Sequence, residues 1–147
     1  MKHPLAALAL GATFAFGLSA CGASGGLSIE NPEFHAPLGA SNVGVAYFSI
    51  RSPKADRIVG VSSPAAKAIE MHDMAMNGSM MTMKRVESVN LPAGKTVKFE
   101  PGGLHLMVFS PAAVGAGGTL PVTFELASGL KQTVQFPETP RSGTPAN

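Results

Sequence analysis

Apolar and polar residues alternate along most of this chain, in short runs separated by glycine and proline. Residues 42–51 (NVGVAYFSIR) are rich in β-branched and aromatic side chains, and residues 57–62 (RIVGVS) have the same character. Because side chains alternate between the two faces of a strand, this pattern predicts strands with one buried face. Further strands are predicted at residues 27–34, 66–76, 96–100, 104–109, 119–126 and 132–136.

Turn-forming residues separate the predicted strands. Pro and Gly cluster at residues 92–94, 101–103 and 115–118, and no convincing helical pattern lies between them. Strands of this number and spacing predict an all-β fold, either a β-sandwich or a small barrel.

The strongest hairpin signal is Asn77-Gly78, a pair typical of a two-residue type I′ loop. If these two residues form the loop, Met76 pairs with Ser79. In every further cross-strand pair the two residue numbers then also sum to 155. His72 would then lie directly opposite Met83, and the register also predicts three further pairs. These are Met74 with Met81, Glu70 with Arg85, and Ile69 with Val86.

The alternation of faces separates these pairs into two groups. Ile69 and Val86 would share one face, and the other face would carry six potential ligands and charged residues. These are Glu70, His72, Met74, Met81, Met83 and Arg85. A charged pair on that second face indicates that it is not the hydrophobic core.

A second strand carries the same kind of side chains. Leu104, Leu106 and Val108 alternate with His105, Met107 and Phe109, and the aliphatic set is expected to face the core. His105 and Met107 would then lie together on the opposite face, as a two-residue clamp for a metal ion. His35, close to Pro37, is predicted to be an ordinary surface histidine in a loop.

The segment from Glu70 to Met107 concentrates this chemistry. It holds seven of the eight methionines and two of the four histidines. Thioether and imidazole are neutral ligands that suit a soft metal ion such as copper. Methionines more often fill gaps in a core, but a stripe of them on a non-core face has no packing role.

Composition narrows the function further. The chain has 147 residues, 14% charged residues and a net charge of +2, which fits one globular domain and gives no basic run for nucleic acid. Cys21 is the only cysteine, so the folded domain holds no thiolate for a blue-copper centre. No HExxH motif is present, and the chain is not expected to be an enzyme.

The beginning of the chain resembles a bacterial lipoprotein signal. Residues 5–18 are uncharged and apolar, and Leu18-Ser19-Ala20-Cys21 matches a lipobox. The predicted organisation is a signal peptide (1–20), a lipid-anchored tether (21–26), a domain (27–137) and a disordered tail (138–147). The protein would be exported to the periplasm or cell surface and tethered to a membrane through Cys21. An ordinary cleavable signal is the alternative.

The spacing of His72, Met83, His105 and Met107 reads H-x10-M-x21-H-x-M, and it resembles the signature of the periplasmic copper chaperones called PCu(A)C. The surrounding sequence is similar as well, at residues 46–50 (AYFSI), 55–59 (ADRIV), 83–86 (MKRV), 101–107 (PGGLHLM) and 120–124 (LPVTF). The resemblance implies a cupredoxin-like Greek-key β-sandwich that binds one Cu(I) through these four residues. It also implies copper transfer towards cytochrome c oxidase assembly, with a Sco-type protein or the oxidase copper site as recipient.

Several roles stay open at this stage. Met74, Met76, Met80 and Met81 could serve as auxiliary ligands, as a soft docking surface or as apolar contacts, and Met74 and Met81 are the two candidates for an auxiliary metal role. Some relatives carry a His- and Met-rich C-terminal extension, but residues 138–147 contain neither residue. Two other functions compete with copper delivery: copper storage or resistance, and a non-metal adhesion or structural β-sandwich lipoprotein.

Overall fold

The computed structural model describes residues 25–114 and 117–140, which form ten strands. The strands are β1 (Ser28–His35), β2 (Val43–Arg51), β3 (Asp56–Ser62), β4 (Ala66–Asn77), β5 (Met80–Val86), β6 (Val89–Leu91), β7 (Thr96–Phe99), β8 (His105–Pro111), β9 (Thr119–Leu126) and β10 (Lys131–Pro137). Within these ranges no helix has the length and apolar character needed to span a membrane. The predicted signal peptide, Cys21 and residues 141–147 lie outside the described residues.

The strands form two antiparallel sheets. The first has the order β1-β2-β8-β4-β5, with β7 paired to the second half of β2, and the second has the order β10-β9-β3-β6. The two sheets pack as a cupredoxin-like β-sandwich, so the predicted fold class is confirmed.

The core lies between the sheets and is built from alternate residues of each strand. Four phenylalanines join the two layers: Phe48 and Phe99 from the first sheet, Phe124 and Phe136 from the second. The ring of Phe48 stacks on Phe99 at 4.3 Å and meets Phe124 and Phe136 at 5.2 and 5.4 Å between centroids. All four are at most 3% exposed. Because the stabilisation of the fold grows with the apolar area buried, these large side chains contribute strongly to it.

The predicted strands lie close to the observed ones, because alternation marks their buried faces. β6 was not predicted, since three residues are too few to show a pattern. Val89 and Leu91 nevertheless point into the core, and the strand pairs with β3.

The hairpin between β4 and β5 differs from its prediction. Asn77 pairs with Met80, so the loop residues are Gly78 and Ser79, and only Gly78 has a positive φ (+66°). This matches a turn with glycine at the first central position, as in type II′. The predicted Asn77-Gly78 loop is therefore wrong.

The new loop displaces every predicted cross-strand pair by two residues. His72 lies opposite Arg85, Met74 opposite Met83, and Met76 opposite Met81. Because side chains repeat every two residues along a strand, a two-residue shift leaves each of them on its predicted face.

The two ends of the domain meet beside β1. His35 is the last residue of β1 and is only 9% exposed, so the prediction of a surface loop histidine is wrong. Its Nδ1 donates a hydrogen bond to the carbonyl oxygen of Thr139 at 2.6 Å. The backbone N–H of Thr139 donates to Phe34, and that of Glu138 donates to Gly118. Ordered contacts thus extend two residues past the predicted end of the domain.

Candidate metal centre

Two histidines meet on the outer face of the first sheet, the face turned away from the second sheet. His72 of β4 lies directly opposite His105 of β8, and their ring centroids are 6.0 Å apart. The next residue back in β4, Met71, and the next residue in β8, Leu106, are buried in the core. Alternation therefore sends both imidazoles outward, as the sequence predicts for His105.

A backbone carbonyl fixes the tautomer of His105. Its Nδ1 lies 2.9 Å from the carbonyl oxygen of Gly103, which can only accept a hydrogen bond. In the neutral ring Nδ1 therefore carries the proton, and Nε2 keeps its lone pair. Nε2 lies 3.3 Å from the sulfur of Met83. A nitrogen and a sulfur lone pair are thus held side by side, an arrangement that suits a bound cation.

A carboxylate fixes the tautomer of His72 in the opposite sense. Nε2 of His72 lies 3.0 Å from Oε2 of Glu70, so Nε2 carries the proton and donates it. The other carboxylate oxygen of Glu70 lies 3.2 Å from Arg85. Nδ1 of His72 is buried and has no hydrogen-bond partner. Leaving such an atom unpaired costs free energy, so a ligand role would account for it.

Met83 is brought to this pair by the hairpin. It lies opposite Met74 rather than opposite His72, and its side chain reaches across β4 to His105. It is 52% exposed, so the sulfur side of the cluster is open to solvent.

Met107 flanks the cluster. It is half-buried two residues after His105 on the same outer face, directly opposite Glu70. The contacts join His72, His105 and Met83, and Met107 stands beside them along β8. Of the two predicted auxiliary residues, Met74 is half-buried and Met81 is 53% exposed, and both lie on this face nearer the hairpin tip.

The donor types determine which ions fit. Within residues 25–114 and 117–140, no group of three or more His, Cys, Asp or Glu side chains comes together. The donors that do converge are two imidazoles and a thioether. Soft, neutral ligands of this kind suit Cu(I) better than a hard divalent ion.

The role of Glu70 is the part of the site that the sequence prediction missed. The sequence predicts a Glu70–Arg85 pair only as a sign of an exposed face, and the ion pair forms diagonally across the hairpin. The spacing Glu-x-His on one strand could have indicated that Glu70 and His72 contact each other, because residues two apart share a face. A carboxylate that holds the far nitrogen of a metal-binding histidine is a common supporting arrangement.

Comparison with known proteins identifies the family. The profile described as "Putative lipoprotein LpqE-like" matches residues 27–138, about three quarters of the chain. The chain belongs to the LpqE-like family. A similar protein is the "Putative lipoprotein Lxx21020" of Leifsonia xyli subsp. xyli, 32% identical over 92 residues. That alignment covers 61% of this chain and 55% of the relative, so the chain spans about half of the relative's length.

Solved structures share the fold of this LpqE-like chain. The copper-bound PCuAC domain from PmoF2 is 22% identical, with a TM-score of 0.61 over 75% of this chain and 89% of that domain. The apo form of DR1885 from Deinococcus radiodurans is 21% identical, with a TM-score of 0.61 over 97% and 98% of the two chains. The Cu(I) form of DR1885 gives a TM-score of 0.57 over 78% and 77%, at 21% identity.

Proposed function

We propose that this LpqE-like protein is an exported copper chaperone that binds one Cu(I) through His72, Met83, His105 and Met107. One observation carries the proposal. Each imidazole is held by a hydrogen bond at one nitrogen, which leaves Nδ1 of His72 unpaired and Nε2 of His105 against the sulfur of Met83. The shared fold of copper-bound PCuAC domains supports it.

The ligand set suits a carrier. Thioethers favour Cu(I), need no deprotonation and form no disulfides in an oxidising compartment. A set of neutral ligands holds Cu(I) less tightly than a pair of thiolates would, so a cysteine site on another protein can remove the ion. Met83, which is half exposed, offers the side from which such a thiolate would approach.

A competition titration tests the site. The full chain is titrated with Cu(I) in the presence of a chromophoric Cu(I) chelator, and His105→Ala plus Met107→Ala is expected to remove the tightest equivalent. Met80→Leu is the control, because Met80 is 68% exposed and lies on the other face of the same hairpin. Unchanged tight binding in the double variant would overturn the ligand assignment.

The direction of transfer is the finer part of the proposal. We assign delivery towards cytochrome c oxidase assembly, to a Sco-type protein or the oxidase copper site, with the donor tethered to a membrane through Cys21. The lipoprotein description of the family supports export. Deleting the gene should lower oxidase activity in copper-poor medium. Normal oxidase activity together with copper sensitivity would instead identify a storage or resistance protein.

A further inference from the structure

The hairpin of β4 and β5 carries more thioethers than the proposed site uses. Met74 lies directly opposite Met83, and Met76 lies directly opposite Met81, so four sulfurs occupy two adjacent cross-strand rows. Since side chains two residues apart share a face, all four lie on the face that bears His72. Met83 contacts His105, whereas Met74, Met76 and Met81 lie outside the proposed four-ligand site.

Packing does not account for Met76 and Met81, and Met74 is only half-buried beside them. Met76 is 65% exposed and Met81 is 53% exposed, whereas Met71 of the same strand is 5% exposed and belongs to the core. A surface that exposes several long apolar side chains together normally has a binding role.

Their geometry suits a small soft cation. Directly opposite Cβ atoms lie about 4.5–5.5 Å apart, and positions two apart on a strand are separated by about 6.6 Å. An unbranched side chain with three rotatable bonds lets each sulfur move several ångströms, so three sulfurs can meet around one ion. Thioethers select Cu(I) and its analogue Ag(I) over Zn²⁺ and over hard cations.

We propose that Met74, Met76 and Met81 form a second, thioether-only site for Cu(I) at the tip of this hairpin. Met83 lies between the two sites, opposite Met74 and in contact with His105. The tip site therefore receives copper from solvent and passes it inward by ligand exchange, with no change in oxidation state. This transfer role rests on the proposed function, but the three ligands of the tip site are separate from His72, His105 and Met107.

The experiment follows the methionine methyl resonances of the full chain while Ag(I) is added as a redox-inert substitute for Cu(I). The wild-type protein should bind two equivalents. The weaker one should shift the methyl signals of Met74, Met76 and Met81 but not that of Met80. Saturation without shifts of the Met74, Met76 and Met81 methyl signals, or an equal shift at Met80, would overturn the tip site.

Variants separate the tip site from the proposed function. Met74→Leu, Met76→Leu and Met81→Leu combined should leave one equivalent, while Met80→Leu should leave two. Met76→Leu alone, at a solvent-exposed position that the fold does not need, should weaken the second equivalent about tenfold or more. Two equivalents of unchanged affinity in these variants would refute the tip site.

A variant of the His/Met site should show the opposite behaviour to the methionine variants. His105→Ala plus Met107→Ala should remove the tighter equivalent and leave the shifts of Met74, Met76 and Met81. If those shifts persist but the wild-type protein has no tighter site to lose, the tip site stands and the proposed His/Met site fails. If the tip shifts disappear together with the tighter equivalent, the three methionines hold no separate ion and the tip site is refuted.

Discussion

At the scale of single residues, the candidate centre depends on which nitrogen of each imidazole carries the proton. His105 is oriented by a backbone carbonyl, which no side-chain substitution removes, whereas His72 is oriented by the carboxylate of Glu70. A side-chain substitution can therefore remove the hydrogen bond that orients His72 but not the one that orients His105. Glu70 is the position at which a substitution should change the affinity of the proposed site without altering one of its proposed ligands.

Replacing Glu70 with alanine should lower the Cu(I) affinity by about 10- to 100-fold, because the His72 ring loses the acceptor that holds it. The free energy of unfolding should change little, since Glu70 and Arg85 form a partly exposed pair. Chelator competition and urea denaturation measure the two quantities. Glu125→Ala is the matched control, because it breaks a similar ion pair with Lys131 in the other sheet. Equal affinity in the two variants would show that Glu70 does not position His72.

At the scale of strands and turns, alternation predicts which residues share a face but not how strands are registered. Asn77-Gly78 fits two kinds of hairpin loop, and the choice depends on whether positive φ falls on Asn77 or only on Gly78. The faces of His72 and Met83 were predicted correctly because the two possible registers differ by two residues. The pairing of β4 with β8 was not predictable, since local sequence does not determine which distant strands become neighbours.

The register is directly measurable by NMR. Backbone protons of Met74 and Met83 should show a cross-strand contact, as should those of Met76 and Met81. A contact between His72 and Met83 backbone protons would restore the alternative register. Gly78→Ala should destabilise the protein by about 1–3 kcal/mol, because a residue with a Cβ is strained at positive φ. Ser79→Ala is the control in the same loop.

Another turn gives the protein an acid-sensitive contact. The Ser128 hydroxyl and the backbone N–H of Arg57 both donate hydrogen bonds to Asp56, and they lower the pKa of this carboxyl from its ordinary value. A depressed pKa in the folded state contributes stability above the ordinary pKa. That contribution is lost as the pH falls through the ordinary value towards the lowered one.

Asp56→Asn should therefore reduce the difference in stability between neutral and acidic pH. The measurement is urea denaturation of both proteins at neutral pH and below pH 4, with Asp73→Asn as a control in another strand. An unchanged pH dependence in Asp56→Asn would show that this contact does not contribute to the acid response.

At the scale of the whole molecule, the core and the candidate centre lie on opposite faces of the same sheet. The core is closed by the contacts of Phe48 with aromatic rings of both sheets, and the proposed metal ligands project from the outer side. Stability and metal binding should therefore respond to different substitutions.

Phe48→Ala should lower the free energy of unfolding by about 3–5 kcal/mol, because it removes a buried ring that touches three others. Leu38→Ala, at a residue that is 51% exposed, should change it by no more than about 0.5 kcal/mol. Denaturant unfolding measures both. A loss below about 1 kcal/mol for Phe48→Ala would contradict the central position of this ring.

The exposure of the hairpin sulfurs makes the centre vulnerable to oxidants. Met83 is half in solvent, and oxidation would convert its thioether to a sulfoxide, a polar group whose oxygen is a hard donor. The core would be spared, because Met71 is the one methionine of the hairpin strands that is buried. On the proposed function, a protein damaged in this way would stay folded and lose its affinity for Cu(I), and reduction of the sulfoxide would restore that affinity. Repair enzymes in the same compartment would therefore govern how long each molecule keeps the proposed site intact.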